Sequence, residues 1–234
     1  VNEQAARELP DGAWRPLHDF ARWIGSWLFY LLFRLRVRGM ANVPRTGPVV
    51  VVANHSSMME GPLLFGVLPR RTVFLIKQEI FRGVVGWALR RIGQLSVRRG
   101  EPDRTPLLGA VRVLRAGGVV GVFPEGTRGA GDVASAQHGA AWLARSGGAV
   151  VLPVACRGTR RPGGARRRFR PVVDVLVGRP FELPPGRGRQ GLAVATDRVR
   201  DELAALVAEL DRLRGGEPPS AAGTSGHGVS GDRP

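Results

Sequence analysis

Short runs of β-branched residues recur along this chain, and between them lie stretches with helical spacing. The runs are Val49 to Ala53, Val73 to Ile76, Gln94 to Val97, Val119 to Phe123, Val150 to Ala155 and Val172 to Val177. Most are continuously apolar with turn residues on both sides, the pattern of strands buried on two faces. Between and around them, residues 13 to 36, Glu60 to Leu68, Val84 to Arg91, Pro106 to Ala116, about 138 to 146 and Leu192 to Leu213 have the spacing of helices. Strands that alternate with helices predict an α/β protein with a mostly parallel central sheet flanked by helices. Its working loops are then expected at the strands' C-terminal ends.

A chain of 234 residues with a 43% apolar fraction is one domain with a substantial core. One cysteine, Cys156, rules out an internal disulfide framework and a cysteine-rich zinc site, and its apolar setting marks it as a buried small hydrophobe. The net charge of +16 favours polyanionic partners, and Lys77 is the single lysine among 35 basic residues. No secretory leader is apparent in the polar first twenty residues. The apolar stretch Trp23 to Phe33, eleven residues between Arg22 and Arg34, is too short to cross a bilayer. Its aromatic residues, with Arg34, Arg36 and Arg38 close behind, suit an amphipathic helix in a membrane interface. The same helix is equally suited to packing on the domain, and the two placements are compatible. The expected organisation is an N-terminal segment with this interfacial helix (1–36), a catalytic domain (37–214) and a disordered tail rich in Gly, Pro, Ser and Ala (215–234). Residues 157 to 171, with seven arginines, read as an exposed basic loop.

Three sets of residues carry chemistry. Asn54-His55 ends the first valine run, and Glu60 follows five residues later. A histidine with a carboxylate in reach is the minimal general base with an orienting partner. On one continuous helix the two would point about 140° apart, so His55 must sit in the turn before the helix that carries Glu60. Ser56 and Ser57 are expected to cap that helix. The second set is Phe123-Pro124-Glu125-Gly126-Thr127-Arg128, where a strand end delivers an acid, a hydroxyl and a forked cation into a loop shaped by Pro124 and Gly126. The third is Gly93 to Arg98, another strand ending on a cation. Rivals are absent or misplaced. There is no GxSxG elbow, no GK[ST] P-loop, and Gly186-x-Gly188-x-x-Gly191 follows Pro184-Pro185 in a loop rather than a strand. His138 lacks a partner at metal-ligand spacing, so no metal site is expected.

Together these residues resemble the glycerolipid acyltransferase superfamily, typified by 1-acylglycerol-3-phosphate (lysophosphatidic acid) acyltransferases. The family's signatures NHx4D, GxxxxR, FPEGTR and an apolar-Pro-apolar block correspond to Asn54-His55 with Glu60, Gly93 to Arg98, Phe123 to Arg128, and Leu152-Pro153-Val154. The resemblance covers roughly residues 35 to 180. It departs at one position, where Glu60 replaces the family's aspartate and adds a methylene. The resemblance implies that His55 takes the proton of an acceptor hydroxyl, which attacks the thioester of acyl-CoA or an acyl carrier protein, while Glu60 orients the imidazole. Lys77, Arg98 and Arg128 would meet the acceptor phosphate, with Glu125 and Gly126 at its glycerol end. Arg98 is as well suited to pairing with an acid, and Glu125 to fixing its own loop. No cofactor is implied beyond the acyl donor.

The expected partners are an anionic membrane surface, the acyl donor and a lysophospholipid acceptor, and the expected location is the cytoplasmic face of the cell membrane, held peripherally or monotopically. Nucleic acid is not expected. The other functions open at this point are acylation of a different lysolipid, glycolipid or polyketide hydroxyl, and non-catalytic binding to anionic membranes.

Overall fold

The computed structural model describes residues 8–98, 105–124, 133–160 and 169–215, with the backbone alone for 133–138. Seven strands form one sheet in the order β1-β7-β6-β2-β5-β3-β4. They are β1 (Arg34–Arg38), β2 (Val49–Ala53), β3 (Thr72–Lys77), β4 (Leu95–Val97), β5 (Val119–Val122), β6 (Val150–Arg157) and β7 (Val172–Val177). The helices are α1 (Arg15–Leu32), α2 (Glu60–Val67), α3 (Gly83–Arg91), α4 (Thr105–Arg115), α5 (Val133–Gly147) and α6 (Gly188–Gly215). All neighbouring strands are parallel except β6 and β7, which run antiparallel. The α/β class and the mostly parallel sheet follow the sequence expectation.

The central strand β2 is buried along its whole length. Val49, Val51 and Ala53 face a layer holding Phe29 of α1 and Leu63, Leu64 and Phe65 of α2. Val50 and Val52 face the opposite layer, with Ala110, Val113 and Leu114 of α4 and Leu143 and Ala144 of α5. Two-sided burial explains why the strand shows no polar alternation.

Three expectations need correction. The helix expected over 13–36 ends at Leu32, because Phe33 adopts an extended backbone, and β1 begins at Arg34. Leu35 and Val37 then pack inward on the core layer while β1 pairs with β7. The loop assigned to Gly186–Gly191 becomes helical at Gly188, four residues before the expected start of α6. Ser56 and Ser57 do not cap α2. Its N-cap is Met59, without a side-chain cap, because Glu60 itself reaches back over the first turn and accepts the Ser56 and Ser57 amides.

Helix α1 is held to the domain by polar contacts on its inner face. Arg22 donates to the carbonyls of Phe65 and Leu68, and Asp19 accepts two bonds from Arg71 at 2.8 and 2.6 Å. His18 is fully buried, with Nδ1 donating to the Ile92 carbonyl at 2.6 Å and the ring set edge-on against Phe65. Its Nε2 has no partner among the described residues. Burial pushes the His18 pKa down from 6.5 to about 4, although the Ile92 carbonyl favours the charged ring. The unfolded chain therefore binds a proton that the folded one refuses, and stability falls as pH drops from about 6.5 towards 4. The loss is on the order of 3 kcal/mol at its limit. Denaturant titrations at pH 7 and pH 5 should show this decline. His18→Asn, which keeps a donor for Ile92, should flatten it.

Candidate active site

The parallel strands β2, β5, β3 and β4 all end at one edge of the sheet, and each delivers a motif there. Asn54 and His55 leave β2, Phe123 leaves β5, Lys77 closes β3, and Arg98 follows β4. At about 4.8 Å per strand, Lys77 lies roughly 10 Å from the end of β2 and Arg98 roughly 14 Å. The strand order, rather than the chain order, makes these loops neighbours.

Asn54 is buried, and its side chain copies a peptide unit. Nδ2 donates to the Cys156 carbonyl at 3.0 Å, and Oδ1 accepts from the Cys156 amide at 2.7 Å. This clamp extends the β2–β6 pairing past Ala53 and fixes the backbone from which His55 projects. His55 Nδ1 lies 3.1 Å from Glu60 Oε2, with the imidazole side chain 21% exposed and the carboxylate completely buried. Because an ionised carboxylate only accepts, Nδ1 carries a proton, and Nε2 is the nitrogen turned away from Glu60. Phe123 supports the ring from one side at 4.5 Å between centroids, and Phe74 stacks behind Phe123 at 5.7 Å. Gly121 makes room for this stack, since a Cβ there would meet the Phe74 ring at 2.3 Å.

Glu60 opens α2, where the helix dipole favours a negative charge. Oε2 accepts from His55 Nδ1 and from the Ser56 and Ser57 amides at 2.8 and 3.2 Å, while Oε1 accepts from the hydroxyls of Ser56 and, at 2.8 Å, Thr159. Burial by itself would raise the Glu60 pKa. The bonds from His55, Ser56, Thr159 and the Ser57 amide overcome that and hold it below the usual carboxylate value. The result is an ionised acid locked against the imidazole, an arrangement able, when Nε2 is unprotonated, to take a proton from a hydroxyl and stabilise the imidazolium that forms.

Residues 34–157 match the acyltransferase family model. The chain belongs to the acyltransferase family. It is 28% identical over 187 residues to the 1-acyl-sn-glycerol-3-phosphate acyltransferase of Bacillus subtilis, covering 76% of this chain and 91% of that protein. It is 27% identical over 186 residues to the enzyme of the same name from Pseudomonas aeruginosa, covering 77% and 72%. Among solved structures, the 1-acyl-sn-glycerophosphate (LPA) acyltransferase PlsC from Thermotoga maritima superposes with a TM-score of 0.65 at 25% identity, over 86% of this chain and 81% of that one. The mostly parallel sheet is therefore an acyltransferase fold, and the protein is an acyltransferase.

Within this acyltransferase the expected site residues do not all fall in one place. His55, Glu60, Asn54 and Phe123 come together as described. Lys77 is exposed at the end of β3. Arg98 donates to the Gln78 side chain beside a cavity of about 370 Å³ lined by Arg82, Arg90 and Arg98, by Gln78, Ser96 and Phe81, and by one acid, Glu79. Gly93 and Pro153 serve the scaffold instead. Gly93, at φ +76°, ends α3, with its amide on the Arg90 carbonyl and the next amide, that of Gln94, on Leu89. Pro153 sits in β6 where the strand passes from pairing with Phe181 to pairing with β7, a gap that tolerates a missing N–H. Pro124 is buried directly after Phe123. Glu125, Gly126, Thr127 and Arg128 lie outside the described residues, as do the side chain of His138, residues 161–168 of the basic loop and the tail from 216. Among the described residues no group of three His, Cys, Asp or Glu could hold a metal ion.

One contact to Glu60 was not expected from sequence. Thr159 follows β6 and lies 99 residues from Glu60, so no local motif announces it. The signal that would find it is the pairing of β6 beside β2, which brings the two loops together.

Proposed function

We propose that this enzyme transfers a fatty acyl group from acyl-CoA or an acyl carrier protein to the free hydroxyl of 1-acyl-glycerol-3-phosphate, forming phosphatidic acid. The observation that carries this reading is the His55–Glu60 pair at 3.1 Å, with an exposed lysine two strands away at the same sheet edge. His55 Nε2 takes the hydroxyl proton as the oxygen attacks the thioester carbonyl. The tetrahedral intermediate then collapses, the ester C–O bond remains, the C–S bond breaks, and the imidazolium returns its proton to the leaving thiolate. Glu60 stabilises the imidazolium between these steps. Lys77 receives the acceptor phosphate, together with Arg128 from the FPEGTR loop and Arg98 beyond it. The names of the Bacillus and Pseudomonas relatives support this choice of acceptor.

A membrane surface supplies such an acceptor, and the exposed apolar side chains support docking there. Trp23 and Trp27 on α1 are 66% and 63% exposed, and Val84 on α3 is 81% exposed beside Val85 and Trp87. The start of α1 is tied to the end of α3 by the Trp14 amide on the Arg91 carbonyl. Arg82, Arg90 and Arg91 flank the α3 surface, as suits anionic headgroups. Among the described residues no helix is long and apolar enough to cross a membrane.

The test is acyl transfer on anionic vesicles, comparing lysophosphatidic acid with an unphosphorylated lysolipid. Lysophosphatidic acid should be the better acceptor, and Lys77→Ala should raise its KM about tenfold with little change in kcat, the pattern of a lost binding contact. Equal turnover of both acceptors would shift the reading to another lysolipid or glycolipid hydroxyl. No transfer to either, with vesicle binding intact, would leave a membrane-binding protein.

A further inference from the structure

The donors to Glu60 divide unequally between its two oxygens. Oε2 is held by His55 and by two amides of the same turn, Ser56 and Ser57. Oε1 is held by hydroxyls alone, those of Ser56 and Thr159. All of these partners except Thr159 belong to residues 55–57 and move with the turn. Thr159 comes from the far side of the β2–β6 pair; its hydroxyl also lies 3.5 Å from Ser56 Oγ, but its backbone is held from the β6 side. Arg157 is anchored to Asp211 of α6 by bonds of 2.7 and 2.8 Å. Gly158, at φ +87°, lies so close to β7 that a Cβ would meet the Val172 carbonyl oxygen at 2.2 Å. The Thr159 hydroxyl is therefore a fixed point against which the carboxylate can be registered.

The Glu60 carboxylate can turn about the Cγ–Cδ bond even when the rest of the side chain is packed. Rotation would carry Oε2 away from His55 Nδ1. We propose that Thr159 is a positioning residue of the acyl-transfer site, holding Oε1 of Glu60 so that Oε2 stays aimed at His55. This rests on the acyl-transfer reading above for its kinetic consequence, but the geometric claim stands apart from it. Thr159 touches neither His55 nor the reacting atoms. It acts through Glu60.

Thr159→Val keeps the shape and removes the hydroxyl. With one charge-assisted bond gone, kcat should fall about tenfold while the KM for the acceptor stays within twofold, and Thr159→Ser should restore most of the rate. Glu60→Asp supplies the sharper control. Shortening the side chain by about 1.5 Å draws the carboxylate back; the turn of residues 55–57 can follow it, whereas Thr159 on the β6 side cannot, so the 2.8 Å bond to its hydroxyl is the one given up. In that background Thr159→Val should cost less than twofold, so the two losses should not add. The His55 Nδ1 proton provides a reading that needs no turnover, because its downfield proton NMR signal reports the bond to Glu60. It should shift or broaden in Thr159→Val and recover in Thr159→Ser. Equal costs of Thr159→Val beside Glu60 and beside Asp would overturn the proposal. So would wild-type kcat in Thr159→Val, a loss confined to KM, or an unmoved NMR signal in a folded variant. If Glu60→Asp proves inactive, the rescue by serine and the NMR signal decide. A wild-type enzyme that transfers no acyl group would instead sink the acyl-transfer reading, and the NMR signal would still settle the positioning.

Discussion

His55→Ala should yield a folded protein whose acyl transfer has fallen by three to four orders of magnitude, the range attributable to a positioned general base. An acceptor hydroxyl is a poor nucleophile near neutral pH, and among the described residues at this end of β2 no other side chain presents a free basic nitrogen to it. The fold should survive because the loss is local. His55 is partly exposed, and its ring meets Glu60 and the Phe123 ring. Without it, Glu60 still accepts from two amides and two hydroxyls, so no buried charge is orphaned. A stability change near 1 kcal/mol is what one missing bond of this kind implies. Thermal melting beside an acyl-transfer assay separates the two effects. Near-wild-type turnover in the alanine variant would remove His55 from the mechanism.

The sequence announced the central strands because their physics is local. Val49 to Ala53 needs apolar side chains on both faces, and an unbroken valine run is what that burial looks like in sequence. The His55–Glu60 pair was legible for a similar reason, since five residues span a single turn and helix start. Strand β1 was hidden by its arginines. Arg34, Arg36 and Arg38 alternate with Leu35 and Val37, a period of two that belongs to an edge strand, yet it directly follows an aromatic run with helical spacing. The seryl caps failed because side-chain length decided the outcome. Glu60 reaches far enough back to take the amides that a cap would have served. Thr159 was invisible for a third reason. Its partner is set by which strands are neighbours, and the β6–β2 pairing joins positions about a hundred residues apart.

Glu60→Gln should lower kcat by two to four orders of magnitude with the protein still folded, and the hydrogen-bond pattern says why it can remain folded. An amide brings one acceptor and two donors to a position where both oxygens now only accept. Oxygen must face the Ser56 and Ser57 amides, which cannot reverse, and on that side it also faces His55 Nδ1. The NH2 group is then turned towards the Ser56 and Thr159 hydroxyls, which can rotate to accept. The imidazole thus keeps its tautomer and its place, and Nε2 still points outward. What disappears is the negative charge beside the imidazolium, needed only once the proton has moved, so kcat should fall and acceptor KM should change little. Glu60→Asp keeps the charge and gives up the Thr159 bond, so it should fall only about as far as Thr159→Val. Acid stability adds an independent sign. The Glu60 pKa is depressed in the folded protein, so its contribution is present above the unfolded carboxylate value near 4.5 and is lost as pH falls through the folded value. Glutamine does not titrate and should lose that part of the acid transition. An activity order of wild type, then Asp, then far below it Gln, with the Gln variant less sensitive to acid, would assign Glu60 a role that depends on its charge. Equal activity of the Asp and Gln variants would reduce it to a hydrogen-bond acceptor that orients the ring.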